Sequence, residues 1–179
     1  MNTISSRHRA LAFVLLSAMT GSHAGGWVDE RGVILPEREN MRSASNFLVQ
    51  LRLTPDEAAL RKTWEEASSK PALDVSERIP VGRPITTVLT MTGCTPNPAG
   101  QCDVMAEFSI VAPDGERTRL GAGYLWKAAP LTPRFMLGNA SVTLVFREKD
   151  KGKAFRMIAT VEDRVASKVL ELSTPLTVE

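Results

Sequence analysis

Beyond residue 45, apolar and polar residues mostly change places at every second position, the period of half-buried strands. Phe47, Val49, Leu51 and Leu53 alternate with Leu48, Gln50 and Arg52. Leu73, Val75 and Ile79 predict a short edge strand that stops at Pro80. Ile85 to Thr92 is apolar or Thr on both faces, so it is expected to be central. Val104, Ala106, Phe108 and Ile110 mark the buried face of the next strand, and Leu120, Ala122, Tyr124 and Trp126 the inward face of the one after. Val142, Leu144 and Phe146 follow, then Phe155, Met157, Ala159 and Val161. The last strand covers Lys168 to Val178, with Pro175 marking a bulge or an edge.

One segment breaks the period. Thr54 can cap a helix, Pro55 suits the first helical position, and Glu57 stands where a capping box places its acid. This predicts a helix over about 55–67, with Leu60, Trp64 and Ala67 on one face. Elsewhere the punctuation is that of turns: Pro113-Asp114-Gly115, Asp150-Lys151-Gly152-Lys153, and a long loop from Lys127 to Asn139 holding Pro130 and Pro133. Gly121 and Gly123 leave room for a bulge. The strands at Ile85 to Thr92 and Val104 to Val111 flank a short cysteine-closed loop, which reads as a β-hairpin. About seven to eight strands with one early helix, and no helices alternating with them, make the chain all-β. The pattern is that of a sandwich of antiparallel strands.

The two cysteines, Cys94 and Cys102, are expected to form a disulfide that staples this loop. They lie too close in sequence to bridge two sheets as antibody domains do. Residues 1–24 read as a signal peptide, with Arg7, His8 and Arg9 as the positive region, an apolar run from Ala10 to Met19, and cleavage after Ser22-His23-Ala24. That predicts a periplasmic or secreted product. Residues 25–45 are polar and without a period, as in a flexible N-terminal arm, with docking of Trp27, Val33, Ile34 and Leu35 on the domain as the alternative; residues 46–179 form the folded domain.

Charge and histidine usage narrow the function classes. The chain has 22 Lys and Arg against 20 Asp and Glu, and cleavage would remove Arg7 and Arg9, leaving a product near neutrality. Its charges alternate in sign rather than gathering into a basic stripe, which argues against nucleic acid as a partner. Both histidines, His8 and His23, leave with the signal. The processed chain then has no imidazole for a Ser-His-Asp or Cys-His centre or for a His-containing zinc site. Asp103, Asp114, Asp150 and Asp163 stand near predicted strand ends and offer oxygen ligands, yet none lies in the repeated acidic spacing of a calcium loop. No metal, cofactor or catalytic residue is therefore assigned. Tyr124 and Trp126, beside Pro130 and Pro133, are the candidates for an exposed aromatic partner surface.

Gly93-Cys94 with Cys102-Asp103-Val104, the Pro113-Asp114-Gly115 turn, and Ala159-Thr160-Val161-Glu162-Asp163 followed by Leu170-Glu171-Leu172 carry a resemblance. Over Phe47 to Val178 the chain resembles a group of uncharacterised exported proteins of Gram-negative bacteria. The resemblance implies an immunoglobulin-like β-sandwich and brings over no functional residues. The expected function is a non-catalytic binding or adaptor protein of the bacterial envelope, meeting a protein or a surface polymer, with no integral membrane segment in the processed chain. Two alternatives are a carboxylate-dependent hydrolase of cell-wall glycan and a structural subunit of an appendage or secretion machine.

Overall fold

The computed structural model describes residues 26–28, 33–66, 77–131 and 135–179. The predicted signal peptide, Ala67, Leu73, Val75 and Pro133 lie outside these residues. In chain order the elements are β1 (Trp27–Val28), β2 (Ile34–Leu35), β3 (Met41–Ala44), β4 (Phe47–Thr54), α1 (Glu57–Glu66), β5 (Arg78–Ile79) and β6 (Pro84–Thr92). They continue with β7 (Val104–Val111), β8 (Arg117–Trp126), β9 (Met136–Leu137), β10 (Val142–Val145), β11 (Ala154–Asp163) and β12 (Lys168–Val178). Among the described residues the protein is mostly β, with two five-stranded sheets and one α-helix. The first sheet runs β10-β6-β4-β3, with β9 also on β6, and the second runs β5-β12-β11-β7-β8. β1 and β2 pair separately.

The alternating positions explain why two sheets form. Phe47, Val49, Leu51, Leu53, Ile85, Leu89 and Met91 of the first sheet share one buried cluster with Val104, Ala106, Phe108, Met157, Ala159, Val161, Leu170 and Leu172 of the second. Each strand turns one stripe inward and leaves the other to water or to a cover. β6 is buried on both faces for a specific reason. Its inner residues meet the second sheet, while Val88 on its outer face lies under Leu60 of α1 and Leu137, with Trp64 packed alongside.

The helix begins later than the capping-box pattern implied. Asp56 is the N-cap: its Oδ1 accepts from the Ala59 amide at 2.9 Å. Thr54 instead ends β4 and accepts from the Asp56 amide at 3.3 Å. Glu57 turns to Arg61, 2.7 Å away one helical turn on.

Three expectations about the connections are corrected. The cysteine loop is not the turn of a hairpin, because β6 and β7 belong to different sheets. It is a crossing from one sheet to the other, and Cys94–Cys102 closes that crossing. A disulfide too short to bridge two strands face to face therefore still sits at a junction of sheets. Gly93 makes the turn possible: its φ is +72°, and a Cβ there would stand 1.8 Å from the Asn46 carbonyl oxygen. The arm expected over 25–45 is likewise corrected in part. Met41–Ala44 pairs with Phe47–Gln50 in the first sheet, and Trp27 is buried with its ring stacked on Phe135 at 5.5 Å.

The third correction concerns β8. Leu120 and Leu125 are extra residues in its ladder with β7, since Phe108 faces Gly121 while Ser109 faces Arg119, and Met105 faces Tyr124 while Val104 faces Trp126. These two bulges reset the faces. Leu125 enters the core completely, and Ala122 and Tyr124 point outward instead of inward. A one-residue insertion in a period-two pattern exchanges the faces on either side of it.

Candidate functional site

The crossing loop, the start of the long β8–β9 connection and the β11–β12 turn converge at one end of the sheets. Hydrogen bonds fasten them together. The Cys102 amide donates to the Ala128 carbonyl at 3.0 Å, and the Arg164 amide to the Asp103 carbonyl at 2.9 Å. Asp163, wholly buried, accepts from the Thr95 amide at 2.8 Å and from the Val165 and Ala166 amides at 3.2 and 3.3 Å. One carboxylate thus caps the β11–β12 turn and pins the disulfide loop, so its place in the structure is that of a fastener rather than a free ligand.

Tyr124 is the surface feature of this end. The residue is 45% exposed. Lys127 Nζ lies 3.6 Å from the ring centroid, and the Arg164 guanidinium carbon lies 5.9 Å from it. Both cations meet the negative face of the aromatic quadrupole, an attraction of about 0.5–1 kcal/mol at an exposed site. Trp126 behaves differently. Its ring packs partly on the core, and its Nε1 donates to the Ala129 carbonyl at 3.2 Å, so it anchors the connection that carries Pro130. Pro130 is half-buried.

Across the outer face of the second sheet, Tyr124 stands level with Met105, Glu162 and Val169 through the paired positions of β8, β7, β11 and β12. Val169 is 58% exposed, Val165 in the adjoining turn 37%, and Leu131 54%. Further along the same face the charges are matched across strands. Arg117 meets Glu171 at 3.2 Å, Arg119 meets Glu107 at 2.9 Å, and Arg156 meets Glu39.

The four aspartates considered as calcium ligands do not come together. Asp103 and Asp163 are at the disulfide end, whereas Asp114 caps its own turn through the Glu116 amide and Asp150 accepts from the Arg147 amide near the start of β11. Among the described residues, no three His, Cys, Asp or Glu side chains gather as metal ligands.

No family model matches this chain, and no curated protein does either. Among solved structures, the superoxide reductase (neelaredoxin) from Ignicoccus hospitalis is 17% identical over 70% of this chain and 94% of its own, with a TM-score of 0.36. A CARDB domain from Pyrococcus furiosus, solved in complex with di-metal ions, is 8% identical over 81% of this chain and 99% of its own, at 0.40. A family 123 glycoside hydrolase from Clostridium perfringens is 13% identical over 73% of this chain but 27% of its own, at 0.39. Overlaps this loose carry neither the metals nor the chemistry of those proteins to this chain.

Lys127 and Arg164 were not among the residues singled out by the sequence. Lys127 directly follows Trp126, and that adjacency was its only signal. Arg164 reaches Tyr124 only because the β7–β8 register brings β8 level with the β11–β12 turn. Among the described residues, no helix is long and apolar enough to cross a membrane.

Proposed function

We propose that this chain is a non-catalytic binding module of the bacterial envelope, an immunoglobulin-like β-sandwich that meets its partner through the Tyr124 end. The supporting observation is the half-exposed Tyr124 ring, held beneath Lys127 and Arg164 on an otherwise charge-matched face. An aromatic side chain is a strong interface anchor because it buries a large rigid area at small entropic cost. The strand of Tyr124 is paired along β7, and at the same end Asp163 fastens the disulfide loop to the β11–β12 turn. Export and a cleaved leader belong to this reading. The disulfide-bonded all-β architecture is consistent with them.

The test is retention of envelope components by the purified full chain. Tyr124→Ala is expected to release what the native chain holds while costing folding stability only about 1 kcal/mol, the order of the cation–π contacts it removes. Retention that is indifferent to Tyr124→Ala, or no retention above a control domain, sinks the proposal.

A further inference from the structure

Two cations meet one ring at the Tyr124 end, and one of them, Lys127, is not answered by a carboxylate as the arginines elsewhere on the face are. Arg117, Arg119 and Arg156 each have a carboxylate from another strand or segment. Among the described residues Lys127 forms no ion pair, and Arg164 reaches only Glu162, at 3.5 Å. The centroid distances of 3.6 and 5.9 Å hold the two positive groups within about one Debye length of each other (~10 Å at 0.1 M salt). A carboxylate within reach of both cations would lower their mutual repulsion. Beside them the surface is apolar: Val165 and Val169 are exposed, and Met105 lies between Tyr124 and Glu162 in the cross-strand row.

We propose that this row accepts an acidic segment of a partner protein, whose carboxylates bridge Lys127 and Arg164 and whose apolar side chains cover Met105, Val165 and Val169. The proposal rests on the binding-module reading and adds the chemistry of the partner. A polyanionic glycan would satisfy the two cations but leave the valines wet. A peptide bearing both acids and aliphatic side chains satisfies both halves of the surface, as interface cores and rims do.

Fluorescence anisotropy of the full chain against a labelled peptide of interspersed Glu and Leu tests this. The same peptide with Gln for Glu and a labelled alginate, a polyuronate, serve as comparators. The Glu peptide is expected to bind roughly tenfold more tightly than the Gln peptide and to weaken as salt rises from about 50 to about 300 mM. Lys127→Gln and Arg164→Gln are each expected to weaken it about threefold, Tyr124→Ala about tenfold, and Val169→Ser measurably. Equal binding of the Glu and Gln peptides, or native affinity in the Lys127→Gln/Arg164→Gln double variant, overturns the acidic partner. So does tighter binding of alginate that Val169→Ser leaves untouched. If the envelope component released by Tyr124→Ala stays bound in the double variant, the partner face survives and only the acidic chemistry fails. If the Tyr124 variant also retains that component, the binding face itself is wrong.

Discussion

Glu39 and Asn40 join the two sheets on one side of the core, and Gly138 and Asn139 join them on the other. On the first side, the Leu51 amide of β4 donates to the Asn40 carbonyl at 2.9 Å and the Ser173 amide of β12 to the Glu39 carbonyl at 2.8 Å. On the second, the Gly138 amide donates to the Leu89 carbonyl of β6 at 2.8 Å and the Asn139 amide to the Leu125 carbonyl of β8 at 3.0 Å. The backbone solution is the same, and it covers sheet edges that would otherwise be open to pairing. The side chains are opposite in kind. At the first seam an exposed Glu39 meets Arg156 and Ser173. At the second, Gly138 is buried against the wholly buried Leu125. The difference shows which seam shapes the surface. Because Leu125 fills the core beside Gly138, Tyr124 is turned outward, so the apolar seam sets the face proposed for the partner and the ionic seam only closes an edge.

The strongest way to break that comparison is to empty the apolar seam. Leu125→Ala is expected to cost about 3 kcal/mol in urea unfolding, the cost of a cavity in a packed core. Gly138→Ala should cost about 2 kcal/mol for the opposite reason, since its new Cβ would stand 2.0 Å from Leu125 Cδ1 with the Leu89 carbonyl oxygen 3.1 Å away. The two defects are complementary. In the double variant the added methyl enters the space the leucine left, so the combined loss should fall at least ~1 kcal/mol short of the sum of the single losses. Strict additivity in that cycle would show that Leu125 and Gly138 do not share one packed volume, and the link from seam to Tyr124 would fail with it.

Legibility in the sequence divides along the same line. The β11–β12 ladder runs uninterrupted from Ala154–Thr177 to Asp163–Lys168, and its inward Met157, Ala159 and Val161 stand where the alternation puts them. Pro175 is placed as an edge proline: the amides of Ser173 and Thr177 on either side donate outward, to Glu39 and Glu77 carbonyls. β8 was misread because two inserted leucines change the phase of the pattern twice, and an apolar bulge residue looks like any other strand residue. The two glycines that hinted at a bulge, Gly121 and Gly123, are its neighbours and face inward opposite Phe108 and Ala106. The β6–β7 crossing was misread because a loop of this length serves a hairpin and an arch between sheets equally well. Burial of β6 on both faces was legible, but its cause, α1 over Val88, needed the fold. Tyr124 and Trp126 were found as aromatic residues near a loop. Their division into a presented ring and an anchoring ring followed from the bulge at Leu125.

The ionic seam gives the smallest effect and one with a definite sign. The hydrogen bond from Arg156, then its charge and the Ser173 hydroxyl, hold the Glu39 carboxyl below its ordinary value of 4.5. A carboxylate whose pKa is lowered by folding adds stability above the unfolded value, and that stability is lost as pH falls through the folded one. The difference in urea midpoint between the native chain and Glu39→Gln should therefore be present at neutral pH, begin to shrink below about pH 4.5, and disappear in stronger acid. Glu39 is exposed, so the difference should also shrink as salt is raised. The matching substitution at the other seam, Asn139→Ala, removes no titrating group, and its effect should stay flat over the same acid range. A Glu39→Gln difference that grows on acidification would reverse the sign assigned to this contact, and an equal pH response at both seams would remove the contrast between them.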